Sequence, residues 1–497
     1  MVGCSLNVKR HQSTPLILSI DIGTSSLRTA LFDARAQRFV PTTAQQAYPL
    51  RVTPDGGAEL SPALLHQTLF RCLTKTLRTY RNDRALCSRP IVAVGTSCFW
   101  HSLLGVDTNG RALTPIYTWA DSRCHKDAAR LRVEFSERAL HARTGCMLRS
   151  SYWPAKLFWL RRTQPRLFAR VTTWMSPAEW LHRELCGEAV CSYAMASGTG
   201  LFNPSTLQWD GGLLRRCHIS PARLNALAEG PLVLSTHWQR KFPELRNALW
   251  FPAIGDGAAG NLGSGATRPG LAALNCGTSA AVRVVQRVKR PRAPFGLFCY
   301  RVDAARAVIG GAVSNAGNLR AWCLHQLNLP DDPAVLERAL AGRPSPTHGL
   351  TVLPFWAGER APTWPEDLRG TIVGLTHSTS ALDIYQATRE AVFQRLAQIA
   401  ELLPAKKFVI SGGIQRSPAD MQRLADVLGC SVIVCDEPEA SLRGAAIFAL
   451  EKLGVKVPTP RAGRLIHPRL RFSRQYTGAR QRQQRLEKLL IGFAERE

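Results

Sequence analysis

The chain has 497 residues, 45% of them hydrophobic and 20% charged; the length exceeds one ordinary core, and the composition excludes extended disorder. No apolar run approaches the roughly 18 residues that a membrane span needs. Lys and Arg outnumber Asp and Glu by 64 to 36, a formal charge of +28, which raises nucleic acid or an anionic surface as a partner. The excess is spread along the chain, however, with no zinc-finger spacing, RNA-recognition aromatics or recognition helix, and fits an enzyme that handles polyanionic substrates.

In chain order, residues 1–15 read as a basic leader expected to be disordered; the apolar run PLILSI is short, meets Asp21 at once and lacks a small-residue cleavage pattern. Residues 16–33 read as two strands around DIGTSS. IVAVGTS (91–97) is another strand, and Asn109-Gly110 marks a hairpin turn. Helical periodicity runs over 63–80, 128–145 and 153–163. After a mixed stretch at 220–250, glycine density rises in FPAIGDGAAGNLGSG. ALNCGTSAAVRVV (273–285) then echoes SIDIGTSSLRTAL (19–31), with Asn275 where the first copy has Asp21. A strand enters the Gly-rich turn at 308–323, and helix 380–403, strand 407–413, helix 419–429, strand SVIVC and helix SLRGAAIFALEKLG follow. These alternations predict an α/β protein of two duplicated lobes around a cleft, spanning 16–251 and 252–456. In the basic tail 457–497, Leu486, Leu489, Leu490 and Phe493 at helical spacing predict a helix docked by that face on the second lobe rather than a nucleic-acid module. Fourteen cysteines without a C-x-x-C pair, Cys430 and Cys435 being closest to a ligand spacing, suit free thiols in a reducing cytoplasm.

A Gly-Thr-Ser turn between strands presents backbone N–H groups and hydroxyls that can cup phosphate oxygens, and Gly23 or Gly277 removes the Cβ that would block approach. Asp21 at the first turn would repel phosphate unless Mg²⁺ lay between them. Asp256, flanked by glycines with no basic neighbour close in sequence, is open to accept a proton from a hydroxyl nucleophile, a role compatible with capping a helix. SGGIQRS (411–417) follows a strand and precedes a helix, where a nucleotide is commonly held, although no P-loop motif is present.

Together DIGTSS, TWADSR, SSYWPAKLFWL, MASGTGLF, GDGAAGNLGSG, NCGTSAA, RGTIVGLTHSTSALDIYQATRE, SGGIQRS and EASLRGAAIFA resemble, in order, the FGGY carbohydrate kinases of the actin, hexokinase and heat-shock chaperone ATPase superfamily. The likeness runs from about Leu16 to about Leu453. It implies two ribonuclease H-like lobes, ATP and Mg²⁺. Asp21 would face the metal, with Gly23, Thr24 and Ser25 at the γ-phosphate. Gly277, Thr278 and Ser279 would hold the ATP phosphates, and Gly317, Gly412, Gly413 and Ser417 would bound the nucleotide. Asp256 would be the catalytic base, and Trp100, His101, Trp119, Asp121 and Ser151 would contact sugar. The chain departs from the family pattern at Trp153, Thr163 and Arg389. SCFWHSLLGVDTNGRALTPIYTWADSR looks more like gluconate kinases than glycerol kinases, with xylulose or another ketose as the alternative. From another class, an actin-like ATPase or an idle sugar sensor is the rival. A homodimer is compatible with this reading; a membrane partner is not expected.

Overall fold

Leu16–Ile22 (β1) is buried at every position, as a near-continuous apolar run must be when a strand is covered on both faces. β1 pairs antiparallel with Ser26–Phe32 (β2) across the Gly-Thr-Ser turn, β2 pairs with Ala44–Ala47 (β3), and β1 runs parallel to Ile91–Cys98 (β4). Leu232–Val233 (β5) and Leu249–Trp250 (β6) extend the sheet beyond β4, and Ile254–Gly255 (β7) also pairs with β4. The result is a seven-stranded sheet in the order β5-β6-β4-β1-β2-β3 with β7 beside β4. The computed structural model describes residues 14–344, 346–460 and 463–494; all but the last two residues of the expected leader lie outside them.

The second sheet repeats the plan. Gly270–Cys276 (β8) pairs antiparallel with Ala280–Arg287 (β9), Phe298–Arg301 (β10) and Arg306–Val313 (β11) follow on β9's side, and Ala405–Ser411 (β12), Val432–Val434 (β13) and Leu465–Ile466 (β14) lie on the other side. The order is β10-β11-β9-β8-β12-β13-β14. The segment β6-β4-β1-β2-β3 therefore maps strand for strand onto β13-β12-β8-β9-β11.

Helices cover both sheets. Pro62–Asn82 (α1) starts where the Ser61 hydroxyl accepts the Leu64 N–H, and it packs Leu65, Leu69, Leu73 and Leu77 inward against β2. Between the sheets, Asp256–Ser264 (α2) links β7 to β8. On the second sheet lie Gly317–Gln326 (α3), Ala381–Glu401 (α4) and Pro418–Leu428 (α5). Ala440–Lys452 (α6) follows β13 yet packs on β1 and β4 of the first sheet, so the chain crosses back between the lobes. Leu470–Ala494 (α7) lies against α5 and α4.

Two expectations need correction. The helix read over 128–145 is two, His125–Glu134 and Glu137–Thr144, because Phe135 is extended and the Ser136 hydroxyl caps the second by accepting from Ala139 N. The terminal helix packs on the second lobe by a face offset from the expected one: Phe472, Tyr476, Gln483 and Glu487 are buried and Leu486 and Leu490 half-buried, whereas Leu489 and Phe493 are 70% and 57% exposed. Arg389, at a position where the family pattern is apolar, is buried because Asp420 Oδ2 accepts from its Nε at 2.9 Å and the Ala316 carbonyl from its Nη1 at 3.0 Å.

The α2–α6 crossing is backbone on backbone. A Cβ on Gly263 would stand 1.8 Å from the Ala440 carbonyl oxygen, and one on Gly444 would stand 1.8 Å from that of Ala259. Gly260, on the same helix, has only Ser441 Oγ at 3.9 Å. Gly263→Ala is therefore expected to lower the unfolding free energy by about 1–3 kcal/mol through overpacking, while Gly260→Ala is neutral or stabilising by up to about 1 kcal/mol through helix propensity. Urea denaturation of the two variants measures this; equal effects would rule out the backbone contact as the cause.

Candidate active site between the two sheets

The cleft between the sheets contains a cavity of about 140 Å³ lined from the first lobe by Thr24, Trp100, His101, Trp119, Ser151 and Tyr152, from the second by Asn275, Ser279, Arg283, Tyr300, Arg360 and Trp364 among others, and by Asp256 at the junction. Trp100, His101, Trp119, Ser151, Thr24, Ser279 and Asp256, all singled out in the sequence, thus meet in one space.

Trp100 is more wall than open platform. Its indole N–H donates to the Ala194 carbonyl at 3.0 Å, and it is packed so tightly against Gly198 and Gly255 that a Cβ on either would lie 2.3 or 1.8 Å from its ring atoms. Because Gly255 precedes Asp256, Trp100 seats the backbone from which Asp256 projects. His101 adopts a left-handed backbone conformation, φ 68°, rarely occupied by residues other than glycine. Burial lowers its pKa to about 3, so the ring is neutral. Its Nδ1 lies 2.5 Å from the Gly198 carbonyl, which can only accept; Nδ1 must carry the proton and Nε2 is left as an acceptor. The Trp119 indole N–H donates to Thr24 Oγ1 at 3.1 Å, joining this wall to the first Gly-Thr-Ser turn.

Asp256 is the first residue of α2 rather than its cap; Oδ1 accepts the Gly257 N–H at 2.7 Å. Burial raises its carboxyl pKa, opposed by the guanidinium groups of Arg283 and Arg360. Asp21, 4% exposed, has its pKa raised to about 6, chiefly by burial and against the pull of Arg28. Its Oδ2 faces Arg28 Nη1 at 3.3 Å; Oδ1 is buried with no hydrogen-bond partner of regular geometry, only the Ser97 hydroxyl lying beside it. An orphaned carboxylate oxygen at a phosphate-type turn fits a hard cation such as Mg²⁺, which needs only one or two carboxylates.

At the second lobe, the carboxyl ends of β8, β11 and β12 form a bare backbone edge. Gly317 N–H donates to the Gly277 carbonyl at 2.9 Å and Asn318 N–H to that of Thr278 at 3.1 Å. A Cβ on Gly317 would meet Gly277 O at 2.4 Å, and one on Gly412, whose φ is +94°, would meet Cys276 O at 2.7 Å. Gly277, Thr278, Gly317, Gly412 and Gly413 are thereby gathered. Gly23 and Ser25 occupy the corresponding first-lobe turn, where Gly23 N–H donates to Ser26 O at 3.0 Å and Ser25 is exposed.

Two residues singled out in the sequence are engaged elsewhere. The Asp121 carboxylate is bound by Arg123 and by the Ala58 N–H at 3.2 Å, and it does not line the cavity. The Ser417 hydroxyl caps α5 by accepting from Asp420 N and donates to Glu337 Oε2 at 2.7 Å, so both its functions are spent. Conversely, sequence reasoning missed Arg283, Arg360 and the Tyr152–Tyr300 hydroxyl pair at 2.7 Å. Arg360 lies over the Trp119 ring at 4.8 Å, and its Nε and Nη2 donate to Ser314 Oγ at 3.2 Å and Val313 O at 3.0 Å. Arg283 Nε is buried without a partner. The signals were present: an arginine within the otherwise apolar strand AAVRVV, and a charged pair in the short loop GERAPTW.

The N-terminal domain model of the FGGY family of carbohydrate kinases matches residues 16–240, and the C-terminal domain model matches residues 272–452. A gluconokinase of Bacillus subtilis (strain 168) is 29% identical over 465 residues, covering 89% of this chain and 88% of that protein. A xylulose kinase of Streptomyces rubiginosus is 28% identical over 447 residues, covering 88% and 87%. The crystal structure of a gluconate kinase from Lactobacillus acidophilus superposes with a TM-score of 0.88 at 24% identity, covering 96% of this chain and 98% of that one. Among the described residues no helix is long and apolar enough to cross a membrane.

The electrostatics of Asp256 can be tested directly. Arg283 holds the carboxyl down against burial, so Arg283→Met is expected to raise the Asp256 pKa further, read from the carboxyl carbon signal in ¹³C-Asp-labelled protein. An unmoved titration would show that the guanidinium does not act on it.

Proposed function

This chain belongs to the FGGY family of carbohydrate kinases, a family of phosphotransferases, and from that premise we propose that it transfers the γ-phosphate of ATP to a hydroxyl of a sugar acid, gluconate foremost. The observation that carries the choice of a sugar acid is the pair of guanidinium groups, Arg283 and Arg360, facing one small cavity. Burial lowers the pKa of both, the mark of cations held out of water; Asp256 opposes this at Arg283, and Glu359, ahead of Asp256, opposes it at Arg360. A substrate carboxylate would supply the partner that Arg283 Nε lacks, and arginine suits it because its planar fork matches two carboxylate oxygens. The gluconokinase relative points the same way.

In this reading the sugar chain lies between the Trp119 side and the second-lobe wall, with one hydroxyl donating to His101 Nε2. Asp256 takes the proton of the attacking hydroxyl; burial raises its pKa, which makes the carboxylate the stronger base. Asp21, through its free Oδ1, would hold Mg²⁺, which when bound neutralises phosphate charge. The bare edges at Gly277, Gly317 and Gly412 would let ATP phosphates approach the backbone closely. Such a reaction asks for placement and exclusion of water more than for covalent chemistry. A neutral ketose is the second reading, favoured by the likeness to a xylulose kinase.

ADP release assayed across gluconate, xylulose, ribulose and glycerol is expected to give the highest kcat/KM with gluconate. Arg283→Met should lower that value about 10–100-fold, the worth of a hydrogen bond to a charged group, and leave neutral sugars within a few-fold. Preference for xylulose, unmoved by the substitution, would overturn the sugar-acid reading. Asp256→Asn should reduce kcat about 10²–10⁴-fold with every acceptor; near-normal turnover would remove it as the base.

A further inference from the structure

The face by which α7 docks is apolar in its first turns, where Phe472 and Tyr476 are buried, and polar further on. It buries Gln483 and Glu487, 2% and 3% exposed, and leaves Leu489 and Phe493 in solvent, although a helix needing only to stick would turn its apolar residues inward. We propose that Glu487 is a positioning residue for the substrate cavity, holding the 358–364 loop that carries Arg360 and Trp364. α7 lies beyond residue 452, where the family model ends.

The geometry is continuous from helix to cavity. Glu487 Oε1 accepts the Thr363 hydroxyl, and Oε2 accepts Arg395 Nη1 at 2.6 Å. Arg395, fully buried, donates from Nη2 to Thr363 Oγ1 at 2.9 Å and to the Ala361 carbonyl at 3.3 Å. The residues next to Arg360 on its C-terminal side are thus fixed from beneath. On its other side Glu359 Oε1 accepts the Arg360 N–H at 2.8 Å, and Arg395 also acts on the Glu359 charge. At the loop's end the Trp364 indole N–H donates to the Gly296 carbonyl at 2.8 Å. A buried ion pair adds little stability over well-packed apolar residues, but its directional fork fixes the loop in one geometry. Glu487 thereby sets where the Arg360 guanidinium stands without touching the substrate.

The inference rests on the reading that Arg360 meets the sugar, and the test separates the two. In the full-length chain, Glu487→Gln and Thr363→Val are each expected to raise the sugar KM about tenfold, as a displaced binding group does, with the KM for ATP changed less than about twofold. Arg469→Ala cuts the pair with Asp426 Oδ2, 2.7 Å long, at the other end of the same helix; it should lower Tm without moving the sugar KM. If Arg360→Met raises the sugar KM while both Glu487→Gln and Thr363→Val leave it unchanged, the positioning role is refuted. If Arg469→Ala raises it equally, the helix acts through stability alone and the proposal also falls. If Arg360→Met itself leaves the sugar KM unchanged, the reading of the cavity fails first and the inference with it.

Discussion

Everything in the cleft depends on how closely α2 and α6 approach. Small residues let the two helices meet at their carbonyls, with Gly263 against Ala440 and Gly444 against Ala259. α2 begins at Asp256 and runs to the first strand of the second sheet; α6 leaves that sheet and returns to the first. There Gly95 of β4 lies against the Ala445 carbonyl, 2.2 Å from where a Cβ would be, and the Ser19 hydroxyl donates to Leu442 O at 2.6 Å. A crossing without side chains leaves little room for sliding, since interiors are close-packed. The carboxylate read as the base is the first residue of one of the two helices that meet at this crossing.

The duplication is visible at single positions. Asp21 stands beside Ser97 in the β1–β4 register, and Asn275 stands beside Ser411 in the β8–β12 register. In the second copy the neighbours satisfy each other, Asn275 Nδ2 donating to Ser411 Oγ at 3.0 Å. In the first, Asp21 Oδ1 and Ser97 Oγ both lack a regular partner. Two facing carboxylates would repel phosphate twice over, with one cation to offset them; an amide in the second copy closes its own hydrogen bond and adds no charge.

Much of this was legible in the sequence. Strand-turn-strand patterns, glycine turns and the paired Gly-Thr-Ser motifs are local, and local rules located them. The failures share a cause: they depend on which way a residue faces. Arg283 reads as an outward residue of an alternating strand until the opposite lobe makes that side the cavity. Asp121 looks like a free acid until Arg123, two residues on, claims it. In α7 only Leu486 and Leu490 of the hydrophobic stripe are partly covered, while Glu487 turns inward to Arg395, distant in sequence, and periodicity has no access to such a partner.

The His101 ring has one more consequence. With Nδ1–H committed to the Gly198 carbonyl, Nε2 offers a lone pair and nothing else, in a pocket too dry to protonate it. A ligand must bring a hydrogen to that point. For a site so built, an acceptor that lacks one hydroxyl is penalised more heavily than one slightly too large, because the missing donor leaves a buried lone pair unsatisfied. On the proposed reading, deoxy sugars would be turned away by an absence on their side, with no steric barrier required.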